Sequence, residues 1–196
     1  MVVLSSLHDS YLATLLHHGR VGVIPTDTIY GLAARAVDRA AVARLYRLKL
    51  REQKPGTIIA ANITQLIGLG IEANSLHKVA HLWPNPISVV LPAAAGIGYL
   101  HQDVGSLAVR IPVDEEVRFL VKQIGPLLTS SANMPNESPA TTIAEAQAYF
   151  GSKVDFYVDG GGRHNRPPST VVRFADGRFD TLRQGAVTID EEGNIV

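Results

Sequence analysis

Apolar residues follow two rhythms along this chain. Leu7, Tyr11, Leu12, Leu15 and Leu16 recur at helical spacing between Leu4 and His18, and Gly19 supplies a stop, which predicts an opening helix over 4–18. Val21-Gly-Val-Ile24 is a short apolar run ending at Pro25, the pattern of a buried strand. The helical rhythm returns over 37–50 through Val42, Leu45, Tyr46 and Leu48, with Asp38 placed to cap or charge the first turn. Strands are expected at 57–61, 87–91, 106–111, 126–130 and 155–159, and helices at 63–69, 75–83, 114–124 and 143–150. Trp83-Pro-Asn-Pro86 breaks the second of these helical stretches, 75–83. Residues 170–174 and 179–183 read as a closing strand pair across Asp176-Gly177. Strict β-α alternation holds only in places, so the expected class is α/β (α+β): a mixed sheet flanked by helices. With no internal repeat and no linker rich in Pro, Gly or Ser, residues 1–196 read as one domain.

Composition narrows this picture. With 196 residues, 46% of them hydrophobic, the chain can bury a core without metal or disulfide staples. The absence of cysteine excludes disulfides, thiol nucleophiles and thiolate metal sites, and is compatible with a cytoplasmic address. Residues 1–7 lack a basic leader, and the apolar runs fall short of the ~20 residues a membrane span needs, so neither secretion nor membrane insertion is expected. The formal net charge is zero but unevenly spread: residues 17–54 carry eight Lys/Arg against three acids, a net of +5, which leaves −5 for the remainder. That segment reads either as a local field for a small polyanion or as a solvated helix face.

No GxxxxGK[ST] loop, three-glycine dinucleotide fingerprint, HExxH or GxSxG occurs, and the seven histidines show no metal-like pairing. A nucleotide bound here must be held by a less common arrangement. Four clusters offer one. Pro25-Thr-Asp-Thr-Ile-Tyr-Gly-Leu32 follows a buried strand; if extended, it presents Thr26, Thr28 and Tyr30 on one side, and otherwise it is a plain strand-to-helix turn. Lys49 and Arg51 would lie about 200° apart on a continuing helix, but they converge if the helix ends before Lys54-Pro55-Gly56. A fork and a mobile point charge suit a triphosphate; a basic helix C-terminus favoured by the macrodipole is the alternative. In a strand, Ser106, Ala108 and Arg110 face together, and the arginine requires an anion, either a ligand or a structural carboxylate. Ser131 and Asn133 point the same way in Thr129-Ser-Ser-Ala-Asn-Met-Pro135 and supply hydroxyl and carboxamide groups, unless the segment is only a turn.

Taken in order, Pro25-Thr-Asp-Thr-Ile-Tyr-Gly-Leu32, Lys49-Leu-Arg51, Trp83-Pro-Asn-Pro86, Ser106-Leu-Ala-Val-Arg-Ile-Pro112, Ser131-Ala-Asn133, Ser169-Thr170 and Leu182-Arg-Gln-Gly185 resemble the YrdC family of L-threonylcarbamoyl-adenylate synthases. The likeness runs from about residue 21 to 185 and is to the short, single-domain members. It implies a twisted mixed sheet with a basic concave face, and a nucleotidyltransferase that joins L-threonine, bicarbonate and ATP into threonylcarbamoyl-AMP with release of pyrophosphate. The product would pass to a downstream threonylcarbamoyl transferase acting on tRNA. By the same resemblance, Lys49 and Arg51 are the catalytic pair and also touch the nucleotide. Thr26, Arg110, Ser131 and Ser169 would hold L-threonine, and Ser106, Asn133, Thr141 and Arg183 the nucleotide. Mg²⁺ is expected with ATP, without an assignable protein ligand. Direct contact with tRNA or double-stranded RNA stays open.

Two other readings compete: an RNA-binding module using the same basic cavity without threonine-dependent chemistry, and a paralogue of the same fold with a changed reaction. The first meets a chain only 6% aromatic, with no basic stretch interleaved with aromatics. The second draws on departures from the family pattern. Glu52 follows Arg51 in a segment one residue short, and Ile59 or Ala60 stands where some members place a histidine. Met134-Pro135-Asn136 also replaces a Ser-Gly turn.

Overall fold

The structure is a computed structural model that describes residues 1–50 and 52–196. Among these, ten strands join in one sheet: β1 (Val2–Leu4), β2 (Gly22–Pro25), β3 (Tyr30–Arg35), β4 (Thr57–Ile59), β5 (Ile87–Pro92), β6 (Ser106–Arg110), β7 (Leu127–Ser131), β8 (Phe156–Val158), β9 (Thr170–Ala175) and β10 (Arg178–Arg183). Their order is β1-β8-β2-β3-β7-β4-β6-β5-β9-β10. The pairs β1/β8, β2/β8, β4/β6 and β5/β9 are parallel and the others antiparallel, so the sheet is mixed, as expected. The helices are α1 (Ser10–His17), α2 (Arg39–Lys49), α3 (Ile63–Leu69), α4 (Ala73–Val79), α5 (Gly98–His101), α6 (Glu115–Ile124) and α7 (Ile143–Phe150).

Alternation along the strands assigns the two faces. Leu32, Ile58, Val89, Val109, Leu128 and Val172 point to one core, closed by Val42 and Leu45 of α2, Leu66 of α3, Leu76 of α4 and Ala146 of α7. Ile24, Ala33, Ile59, Leu127 and Phe156 point the other way, against Leu12 and Leu16 of α1 and Val117, Leu120 and Val121 of α6. Beyond that second core, the same face of the sheet changes character. Its positions there are Thr57, Ala108, Thr129 and Ser131, small or polar side chains that line a hollow.

The capping residues act as the sequence indicates. Asp38 accepts from the Ala41 N–H at 3.0 Å and caps α2, and Asp114 caps α6 through the Glu116 and Val117 N–H groups. Asp176 (φ 52°) and Gly177 (φ 80°) form the two-residue turn between β9 and β10, both in the left-handed region, as a type I′ hairpin requires.

Three expectations are corrected. The opening helix begins at Ser10, with Asp9 as its cap, because Leu4 is taken into β1 by pairing with Val158. The helix expected over 75–83 starts at Ala73 and gives way to a 3₁₀ turn at Ala80–Leu82. Most consequentially, Tyr30–Arg35 is a six-residue strand, whereas the sequence pattern marks no strand there and leaves Pro25–Leu32 open between an extended stretch and a plain turn into helix α2. It carries no β-branched residue, and its buried neighbours on both sides erase the alternation that marks a half-buried strand.

Four of the eight cations in the +5 segment have local partners. Arg20 and Arg44 engage Asp155, Arg35 donates to the Ile124 carbonyl at 3.0 Å, and Arg39 lies 4.4 Å over the Tyr99 ring. Burial alone would raise the Asp155 pKa. The bond from Arg44, the Val21 N–H at 2.8 Å and the charges of Arg44 and Arg20 outweigh it and hold the carboxyl below its usual 3.8. A depressed carboxyl contributes stability that is full above the unfolded value and is lost as pH falls through the folded one. Asp155→Asn should therefore lower the melting temperature at pH 7, and its deficit against the wild type should shrink below about pH 3.8 when melting is followed across pH.

Candidate active site

The hollow is a cavity of about 360 Å³ built by strand register. Thr129 pairs with Thr57, Thr57 with Ala108, Ala108 with Val90, and Val90 with Arg173, so five strands contribute one row to its floor. Neighbouring rows add Ser106, Arg110, Ser131 and Val171. A side chain at Gly56 would place its Cβ 2.5 Å from the Thr129 carbonyl oxygen, so glycine lets β4 enter beside β7 at this floor.

At the β2–β3 connection, Thr26 and Thr28 are brought together by a tight turn and not by an extended backbone. The Thr26 N–H and Oγ1 both donate to the Ile29 carbonyl, at 3.2 and 2.6 Å, and the two threonine hydroxyls lie 3.2 Å apart. Both are buried and line the cavity. The Tyr30 hydroxyl donates to the Gly161 carbonyl at 2.8 Å and accepts from the Gly160 N–H at 2.9 Å, fixing the loop between β8 and β9. Burial, the largest influence, raises its pKa.

Arg110 is 4% exposed. Its Nη2 lies 3.1 Å from Asp27 Oδ1, so the structural carboxylate that an embedded arginine demands is present. That pairing leaves the fork incomplete, since Nε and Nη1 are buried without a hydrogen-bond partner. Desolvation pulls the Arg110 pKa down, and Asp27 opposes it. Ser130 Oγ, also at the cavity wall, is a third buried polar atom without a partner. Unpaired buried donors of this kind are costly unless an acceptor arrives.

Across the cavity, Ser169 Oγ sits 3.1 Å from Ser88 Oγ, and Arg183 Nη2 donates to the Ser169 carbonyl at 2.8 Å and to its hydroxyl at 3.2 Å. A Cβ at Gly185 would approach the Pro168 carbonyl oxygen to 2.3 Å, so the Leu182-Arg-Gln-Gly185 segment ends in the residue that lets it lie against the Ser169 backbone.

Helix α2 does end at Lys49, with Leu50 in the left-handed region (φ 48°). The Lys49 ammonium is buried and donates to the carbonyls of Ser131 and Asn133 and, at 2.7 Å, to Asn133 Oδ1. Ser131 Oγ donates to the same Asn133 oxygen at 2.7 Å. These residues line a second hollow of about 420 Å³, and Ser131 belongs to both cavities. Arg51 lies outside the described residues.

Thr26, Ser106, Arg110, Ser131, Ser169 and Arg183 thus meet in one cavity, and Lys49 and Asn133 adjoin it through Ser131. Thr141 does not line either hollow; its hydroxyl bonds the Glu145 carboxylate at 3.0 Å and His164 Nδ1 at 3.1 Å. Ile59 and Ala60 are fully buried core residues, and the β4 side chain facing the cavity is Thr57. Arg173 lines the cavity and was missed by sequence reasoning, although counting by twos from Ser169 along β9 places both Val171 and Arg173 on its face.

The family model Sua5/YciO/YrdC, described as telomere recombination, matches residues 14–185. The chain belongs to this family. A Sua5/YciO/YrdC relative from Mycobacterium leprae, named putative threonylcarbamoyl-AMP synthase, is 30% identical over 178 residues, covering 89% of this chain and 81% of its own. A protein of the same name from Methanocaldococcus jannaschii is 28% identical, covering 92% of this chain and 87% of its own. Two structures of P. abyssi Sua5, one complexed with L-threonine, are each 26% identical with TM-scores of 0.84. Both cover 95% of this chain, which spans only 61% and 58% of the length of those two chains.

Proposed function

We propose that this member of the Sua5/YciO/YrdC family is an L-threonylcarbamoyl-adenylate synthase, forming threonylcarbamoyl-AMP and pyrophosphate from L-threonine, bicarbonate and ATP. The observation that carries the reading is Arg110: a buried guanidinium, held on one side by Asp27, whose Nε and Nη1 await an acceptor in a cavity of hydroxyls. A carboxylate completes such a fork with two charge-assisted bonds. L-Threonine offers one, and its hydroxyl matches the Thr26, Thr28, Ser131 and Ser169 hydroxyls around the cavity.

The reaction needs no side-chain nucleophile. The threonine amine forms a C–N bond to the bicarbonate carbon with loss of water. A carbamate oxygen then attacks the α-phosphorus of ATP, the bond to the β-phosphate oxygen breaks, and pyrophosphate leaves. The work left to the protein is positioning and charge neutralisation. Arg110 orients the amino acid, while Ser106, Asn133 and Arg183 face the nucleotide. Lys49 positions the Ser131–Asn133 segment through three bonds. Arg51 and Thr141 join the nucleotide contacts by family resemblance alone. Among the described residues, no cluster of three or more His, Cys, Asp or Glu stands ready as a metal cage. Mg²⁺ would enter with ATP as part of the substrate. A downstream transferase would carry the threonylcarbamoyl group to tRNA. No helix among the described residues is long and apolar enough to cross a membrane.

Purified protein given ATP, labelled bicarbonate and L-threonine should release pyrophosphate only when all three are present. Release that is independent of threonine, or equally supported by serine, would sink the assignment.

A further inference from the structure

A synthase of this kind must hold two separate anions in one cavity, an amino-acid carboxylate and a polyphosphate. The sheet register supplies two separate guanidinium positions. Arg110 lies deep, 4% exposed, whereas Arg173 stands exposed at the rim. Arg173 pairs with Val90 and Val90 with Ala108, two residues along β6 from Arg110 on the same face. With strands ~4.8 Å apart and ~3.3 Å of rise per residue, the two arginine Cα atoms are about 12 Å apart.

The rim arginine is also uncommitted. Among the described residues, no carboxylate lies within ion-pair distance of Arg173, although Asp180 is its direct neighbour on β10. The other arginine on this side, Arg183, spends Nε and Nη2 on holding Ser169. We infer that Arg173 is a further substrate-binding residue, gripping the β- and γ-phosphates of ATP and the departing pyrophosphate at the cavity mouth. The inference rests on the synthase reading. A deep fork fixes the carboxylate, and an exposed one accompanies the leaving group towards solvent.

The test is calorimetric titration of wild type and Arg173→Ala with Mg·ATP, AMP, Mg·pyrophosphate and L-threonine. Removing one charge-assisted contact should weaken ATP and pyrophosphate about tenfold or more while AMP and L-threonine hold near their wild-type affinities. Arg173→Lys should recover part of the loss, because a point charge still attracts phosphate. Unchanged ATP and pyrophosphate affinities in Arg173→Ala overturn the inference, as does an equal loss for AMP and ATP, which would move the contact away from the β- and γ-phosphates. A wild-type protein that binds ATP but not L-threonine defeats the synthase reading alone. One that binds neither ATP nor pyrophosphate defeats both.

Discussion

Replacing Arg110 with alanine should reduce threonine-dependent pyrophosphate release by about 10²–10³-fold, the range for deleting one preorganised charge-stabilising donor. The affinity for L-threonine should fall with it, while ATP binding persists, because the proposed function assigns the fork to the carboxylate and the phosphates to other parts of the cavity. A stability loss accompanies the activity loss. Asp27, whose side chain is fully buried, has Arg110 as its ion-pair partner at 3.1 Å. Stripping a buried pair of one member costs about 3–5 kcal/mol, which for a chain of this size lowers the melting temperature by roughly 10 °C. The two losses separate in the double variant Asp27→Asn/Arg110→Ala, where the stranded charge is gone. Its melting temperature should recover most of the way to the wild type, and its activity should not recover at all. Activity returning with stability would mean that Arg110 serves only the fold.

The contrast between Arg110 and the strand beside the threonines marks how far the sequence could be read. Ser106, Ala108 and Arg110 sit on one face because a strand has a period of two, and that period was visible without coordinates. So was the need for an anion near a guanidinium set among apolar residues. Which anion it would be was not: Asp27 is far away in sequence, and only the β2–β3 turn brings it to Arg110. The same connection defeated the reading of Tyr30–Arg35. A strand buried on both faces, built from Tyr, Gly, Leu and Ala, has neither alternation nor β-branching to announce it. What identifies it is pairing with β2 on one side and, on the other, with β7, a strand more than 90 residues away in sequence.

The basic stretch teaches the complementary lesson. A count of charges over 17–54 cannot tell a ligand field from a set of local anchors, and Arg20, Arg35, Arg39 and Arg44 prove to be anchors. Lys49 reaches the site because α2 stops at its position, and the stop was legible in Lys54-Pro55-Gly56. Its partners were not, since three of its bonds go to the 131–133 segment, two of them to main-chain oxygens that no residue pattern advertises.

Those bonds set up the second large effect. Lys49→Met keeps the length and burial of the side chain but removes the ammonium, leaving the Ser131 and Asn133 carbonyls and the Asn133 carboxamide oxygen without that donor. The carboxamide oxygen still accepts from the Ser131 hydroxyl, and each of the two carbonyls stranded inside the protein costs about 1–3 kcal/mol, so a destabilisation of at least ~2 kcal/mol is expected in thermal or urea unfolding. Asn133 would keep its bonds to the Ser131 hydroxyl and the Glu137 carbonyl but lose the contact that fixes its main chain. Since Ser131 lies in both hollows, the disturbance reaches both. kcat should therefore fall together with rising KM for both ATP and L-threonine, the signature of a misplaced segment; loss of a single ligand contact would raise only one KM. Arg in place of Lys should not rescue either quantity, because a planar fork cannot converge three donors on oxygens grouped around one point. If Lys49→Met instead left the L-threonine KM untouched and raised that of ATP alone, the ammonium would be acting on the nucleotide directly and not through Asn133.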